Sequence, residues 1–181
     1  MTSKPIPLDP TALEGVTGGT VHVGNSGAER IVGSNGADLL LGNGGDDAIA
    51  GGGGNDQIDG GSGRDVLQGD AGDDRLSGGA GDRTADIAFG GDGNDSYTWM
   101  PGDGNDNFRG MAGQDTLNLP SMSLGQLQGA LHLTSTGLNM QVSGNSISFT
   151  DASGRPASFG GTISYGGETL TFTEVERIQI R

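Results

Sequence analysis

The chain repeats itself every nine residues. Read as consecutive units, residues 33–77 run GSNGADLLL, GNGGDDAIA, GGGGNDQID, GGSGRDVLQ and GDAGDDRLS. Glycine stands at positions one and four, aspartate at six and an aliphatic residue at eight. A unit this short cannot bury a face by itself, so the period demands a stacked architecture in which each unit is completed by its neighbours. The sixth-position acids are Asp38, Asp47, Asp56, Asp65 and Asp74, and the eighth-position apolar residues are Leu40, Ile49, Ile58, Leu67 and Leu76.

The period slips twice and then resumes. Asp86 follows Asp74 by twelve residues, so three are inserted near 78–85, and Asp95 then restores the spacing of nine. Asp106 comes eleven after Asp95, with Trp99 and Met100 read as extra and Pro101 where glycine is expected; Asp115 returns to nine. The unit around Asp86 has Thr84 in a glycine position and Ala88 in the apolar column, with Asp82 as a rival acid. Upstream, GNSGAERIV at 24–32 puts Glu29 in the acidic column and reads as a degenerate first unit, a cap that binds weakly or not at all.

Glycine at two fixed positions marks backbone that visits positive φ or approaches something closely, so every unit opens with a tight turn. The 38 glycines among 181 residues carry a large conformational-entropy cost. One buried Leu or Ile per nine residues falls well short of offsetting it. With only 36 Leu, Ile, Val and Phe and a net charge of −14, the chain sits at the border between compact and disordered compositions, and an ordinary apolar core is excluded.

Carboxylates brought into register by such turns repel one another unless a cation lies between them. A hard ion with six to eight oxygen ligands converts that repulsion into coordination, and Ca²⁺ tolerates the irregular geometry of turn carbonyls where Mg²⁺ demands an octahedron. About seven divalent ions would cancel the formal charge of −14. With no cysteine, disulfides and thiolate metal sites are excluded. A single lysine and an acidic balance argue against nucleic-acid binding. No apolar run approaches the length of a membrane helix, and the start MTSKPIPLDPTALEG has neither the basic nor the apolar region of a cleavable secretory signal.

The pattern G-G-x-G-x-D-x-U-x resembles the RTX (repeats-in-toxin) calcium-binding nonapeptide family over residues 24–118. The resemblance implies an all-β fold, a right-handed parallel β-roll in which two nonapeptides complete one coil. Turns 18 residues apart would share an edge, with Asp38, Asp56 and Asp74 on one and Asp47 and Asp65 on the other. Carried over by position, the metal ligands are Asp38, Asp47, Asp56, Asp65, Asp74, Asp86, Asp95, Asp106 and Asp115. They are joined by turn carbonyls such as those of Gly33, Gly42, Gly51, Gly53, Gly60 and Gly69. The family also implies several Ca²⁺ ions, calcium-dependent folding, and export by a type I secretion system to the exterior or cell surface of a Gram-negative bacterium.

Residues 1–23 read as an N-terminal cap, with Pro5, Pro7 and Pro10 ahead of the strand-like VTGGTVHV. Residues 119–181 read as a C-terminal capping region: Ser123 caps a short helix over 124–131, and LHLT, LNMQV, SISF, TISY, LTFT and VERIQI follow as an antiparallel meander. His22 and His132 lack metal-spaced partners and read as strand residues. Trp99, beside Tyr97 and Met100, is a plug over the apolar column or a sugar-stacking platform, the plug being favoured. No partnered nucleophile or phosphate loop occurs, so the expectation is a secreted, non-enzymatic calcium-binding protein or domain. Two alternatives stand beside it: a polysaccharide-binding accessory module resembling those of alginate epimerases, for which Arg64, Arg75, Arg83 and Arg109 are the sparse cations, and a self-associating surface-layer or adhesive protein.

Overall fold

The computed structural model describes residues 18–181. The proline-spaced start, including Pro5, Pro7 and Pro10, lies outside the described residues. In chain order the repeat region contains β1 (Gly18–Val23), β2 (Arg30–Val32), β3 (Ala37–Leu41), β4 (Ala48–Gly53), β5 (Gln57–Asp59) and β6 (Val66–Ala71). It continues with β7 (Arg75–Ser77), β8 (Ile87–Asp92), β9 (Ser96–Thr98), β10 (Asn107–Ala112) and β11 (Thr116–Leu119). After α1 (Leu124–Ala130) come β12 (Leu131–Leu133), β13 (Asn139–Ser143), β14 (Ser146–Thr150), β15 (Phe159–Tyr165), β16 (Glu168–Val175) and β17 (Arg177–Ile180).

Odd and even strands of the repeats separate into two facing sheets. One has the order β1-β3-β5-β7-β9-β11-β17-β14-β13 and the other β12-β15-β16-β10-β8-β6-β4-β2. Within the repeats every pairing is parallel, and residues 18 apart stand in register, such as Leu40 with Ile58 and Ile49 with Leu67. This is a parallel β-roll. A strand of three residues suffices, because only position eight points inward between the sheets. The interior is therefore two thin files: Leu40, Ile58, Leu76, Tyr97 and Leu117 from one sheet, and Ile31, Ile49, Leu67, Ala88 and Phe108 from the other, all buried. Tyr97 stacks on Phe108 with ring centroids 5.1 Å apart.

The two insertions fall on the same edge. The turns leading into odd strands, at 33–38, 51–56, 69–74, 90–95 and 110–115, keep six residues, and they form the first edge. The turns leading into even strands form the second edge, where 78–86 and 99–106 carry the extra residues. The extra segments bind one another, the Gly81 amide donating to Asp103 Oδ1 at 2.9 Å and the Arg83 amide to the Gly102 carbonyl at 3.1 Å. Trp99 is not one of the inserted residues. Its amide donates to the Asn118 carbonyl at 3.0 Å, the bond made at the same place by Gly42 to Asp59 and Gly60 to Ser77, so it occupies position one of its unit. It is wholly buried in the core, which suits a plug and leaves no open ring face for stacking a sugar.

Both ends of the described region extend the roll. Thr20 and His22 of β1 take positions six and eight of a rung below Asp38 and Leu40, His22 being exposed at that end. At the other end β16 and β17 pair in parallel with β10 and β11 and add a further coil, with Ile178 beside Leu117 and Phe172 beside Phe108. Alternating sequence shows a strand but not its direction, and for this reason the meander expectation covers only the other pairings. Those of β12 with β15, β15 with β16, β13 with β14 and β14 with β17 are antiparallel.

The helix stops at Ala130, one residue short of the sequence reading, and Ser123 and Gln126 form a capping box. Leu127 and Ala130 bury its inner face in a cluster with Trp99, Met122, Phe149 and Phe159, which widens the core where the repeats stop. Among the described residues one ion pair is present, Arg109 with Glu174 at 2.7 Å, exposed and joining β10 to β16.

Because the interior is only two side chains wide, a single deletion there has no neighbour that can collapse into it. Leu67→Ala at a fully buried position is expected to cost about 2–5 kcal/mol in equilibrium urea unfolding, whereas Val66→Ala, one residue away on the outer face, should stay within about 0.5 kcal/mol.

Candidate metal centre

Each turn delivers its aspartate to the same place, and each aspartate divides its two oxygens between different tasks. Oδ1 accepts the main-chain amide of the acid one coil earlier. On the first edge Asp38, Asp56, Asp74 and Asp95 donate in turn to Asp56, Asp74, Asp95 and Asp115, at 2.7–2.9 Å. On the second edge Glu29, Asp47, Asp65 and Asp86 donate to Asp47, Asp65, Asp86 and Asp106, at 2.8–3.1 Å. The carboxylate thus takes over a ladder bond that the backbone, bending into its turn, cannot complete.

Oδ2 has no such partner. In Asp47, Asp56, Asp65, Asp74, Asp86, Asp95 and Asp115 it is buried and without any hydrogen bond. It lies against the first glycine of its own unit and, in all but Asp86, a main-chain carbonyl of the next coil. A methyl group added to Gly33, Gly42, Gly51, Gly60 or Gly69 would collide with Oδ2 of Asp38, Asp47, Asp56, Asp65 or Asp74, respectively. The same methyl would strike the carbonyl oxygen of Gly51, Gly60, Gly69, Gly78 or Gly90, respectively. Position one is glycine because these two oxygens fill the space a side chain would take. Position four is glycine for a second reason: Gly45 and Gly54 both have φ of +102°, a conformation that a side chain would strain.

Burial pushes the carboxyls of Asp65, Asp74 and Asp115 up to about 7 and those of Asp56, Asp86 and Asp95 up to about 6. The amide on Oδ1 opposes the rise, and neighbouring carboxylates add to it. Asp47 is raised by the same burial. Asp38, at the start of the first edge, differs. Burial raises it, but the bonds from Ser34 and Thr20 prevail and hold it low, with the Ser34 amide on Oδ2 and the Thr20 amide on Oδ1.

Among the described residues no three His, Cys, Asp or Glu side chains gather as a metal cluster, so an ion in these turns has to draw on main-chain oxygen. The donors on offer are unpaired carboxylate oxygens and glycine carbonyls, all hard oxygen and without nitrogen or sulfur, which suits Ca²⁺. Residues 23–58, 51–85 and 101–119 match the family model of the RTX calcium-binding nonapeptide repeat. These repeats belong to the RTX family. A search of curated proteins gave no match.

The RTX geometry continues through residues 86–100, outside the matched segments, since Asp86 and Asp95 keep both the ladder bond and the unpartnered Oδ2. The carbonyls of Gly42, Gly51, Gly60 and Gly69 stand beside carboxylate oxygens, Gly42 next to Glu29. Both carboxylate oxygens of Glu29 are taken within its own turn by the Asn25 amide and Nδ2, each at 2.6 Å. Asp82 accepts the Gly63 amide at 2.9 Å and the Thr84 hydroxyl, and so is committed to the inserted loop.

Glu176 is an acid of the column that the glycine period does not reveal. Its Oε2 accepts the Asp115 amide at 2.6 Å, as the next aspartate would, and the signal for it is the spacing of two residues to the buried Ile178. A parallel file at position five is also legible only in the fold. Asp46, Asn55, Asp73 and Asn94 accept the amides of Arg64, Asp73, Asn94 and Gln114 one coil on, at 2.8–3.1 Å.

The raised carboxyls fix the pH response of the metal-free roll. Between the ordinary value of 3.8 and folded values of about 6 to 7, the folded chain holds protons that the unfolded chain has released. Folded stability is then fully present below about pH 4 and falls as pH rises toward 7. In chelator, strand content by circular dichroism should decline from pH 4 to pH 7; an increase over that range would contradict the placement of these carboxyls.

Proposed function

We propose that the chain is a secreted, non-enzymatic calcium-binding RTX protein or domain whose folding is driven by extracellular Ca²⁺. The observation that carries this reading is the set of seven buried aspartate oxygens without a hydrogen-bond partner in the two columns, all but that of Asp86 beside a main-chain carbonyl. A buried ionised carboxylate is costly unless paired, and stacking several raises the cost. Above pH 7 the repeats therefore remain expanded in the absence of the ion and close when it is supplied, because binding free energy becomes folding free energy. Residues contributing directly are Asp47, Asp56, Asp65, Asp74, Asp86, Asp95 and Asp115 with neighbouring glycine carbonyls. Asp38 joins them if calcium displaces the Ser34 amide.

Extracellular modules bind calcium at about 10⁻⁴–10⁻³ M, which sets the chain unfolded in the calcium-poor interior of a cell and folded outside it. That arrangement suits passage through a type I secretion channel to the exterior of a Gram-negative bacterium. Among the described residues no helix is long and apolar enough to cross a membrane.

Titration of calcium into chelator-treated protein at pH 7.5 is expected to produce cooperative gain of strand signal by circular dichroism, reversed by added chelator. Strand content indifferent to calcium would refute the proposal. Asp56→Asn keeps the ladder acceptor and removes the charge, so the calcium midpoint should rise severalfold; a surface-like Asp56 would leave it unchanged.

A further inference from the structure

Two columns of aspartates run along the roll, and one member of the second-edge column breaks the rule that the others follow. Asp106 keeps the ladder bond, its Oδ1 accepting the Asp86 amide at 3.1 Å. Its Oδ2, however, is not left open. The hydroxyl of Tyr97 donates to it at 2.8 Å, from within the apolar core, with both side chains buried. Tyr97 occupies an eighth position, where the rungs below carry Leu40, Ile58 and Leu76, which have nothing to donate.

A second and independent feature lies in the same turn. Position one, glycine in the other repeat turns from Gly24 to Gly110, is Trp99 here. A Cβ in that position occupies the space that elsewhere brings the carboxylate oxygen and the neighbouring carbonyl together. The indole is completely buried, and its Nε1 donates to the Gly104 carbonyl at 3.2 Å, so the ring also takes one main-chain oxygen of the turn for itself. The inserted residues supply local fastening in addition: Asp103 accepts the Met100 amide at 2.7 Å and the Gly81 amide at 2.9 Å.

We infer that the turn 99–106 is an RTX turn converted to a metal-independent lock, in which the Tyr97 hydroxyl and the Trp99 side chain replace the ion at Asp106. The second-edge calcium column stops short of this level, while the first-edge column continues through Asp95 and Asp115. The inference rests on the calcium-binding reading given above. It makes the roll asymmetric: the two edges hold different numbers of ions, and the coil that joins the repeats to the C-terminal strands is closed by hydrogen bonding and aromatic packing. That coil can persist as a folded seed when calcium is scarce.

Calcium bound per chain, measured by equilibrium dialysis with elemental analysis on the full chain, separates the cases. Asp106→Asn preserves the Oδ1 acceptor and lets Nδ2 face the Tyr97 oxygen, so the ion count and the calcium midpoint should equal those of the wild type. Asp74→Asn, at an open position, should lose at least one ion. Loss of an ion in Asp106→Asn would overturn the inference while leaving calcium binding intact. No loss in either variant would overturn both. Tyr97→Phe keeps the ring stacked on Phe108 and removes only the hydroxyl, and it serves if Asp106→Asn does not fold. It should bind the wild-type number of ions and melt at lower temperature with and without calcium; a lower ion count, or a defect that saturating calcium erases, would overturn the inference.

Discussion

The structure depends on what happens to one carboxylate oxygen per turn. Each aspartate of the column spends one oxygen on the amide of the coil before it and thereby fixes the stacking register. The other oxygen is then held in a buried position with carbonyls for neighbours. That second oxygen cannot remain charged and unpaired at neutral pH without a large desolvation cost, and its neighbours in the column add repulsion. Uptake of protons or cations relieves that cost, and the raised carboxyls and the hard-oxygen donor set are two expressions of the same burial.

The glycine columns follow from the same constraint. Gly33, Gly42, Gly51, Gly60 and Gly69 are small so that carboxylate and carbonyl can meet over them, and Gly45 and Gly54 are glycine because the turn reverses through positive φ. These demands leave three residues per unit for a strand and one side chain for the core. The apolar core continues past the repeats into the C-terminal region, where Met122, Leu127, Phe149 and Phe159 join the same cluster as Trp99.

The two edges are not equivalent. The first keeps six-residue turns from Asp38 to Asp115, while the second absorbs both insertions and ends in an aspartate bonded to Tyr97. Acids of another length close both columns: Glu29 is occupied by Asn25 at the start, and Glu176 accepts the Asp115 amide at the finish. Glu176 thereby satisfies the last ladder bond of the first edge, and Glu29 spends both oxygens within its own turn.

The nine-residue period by itself determined the repeat, the apolar column and the acidic column, and the resemblance to the RTX family implied the division of the acids between two edges. Those properties are local in register and recur too often to be read otherwise. Only the tertiary structure decided how each carboxylate shares its oxygens, that Trp99 stands in a glycine position with the inserted residues after it, and that β16 and β17 run parallel to the roll as its last coil. Strand direction and insertion placement depend on partners 18 to 66 residues away along the chain, and no local pattern encodes them. The metal preference was legible from residue type, but which aspartates keep an open oxygen was not, because that is settled by a single hydroxyl reaching Asp106 across the core and a single serine amide reaching Asp38.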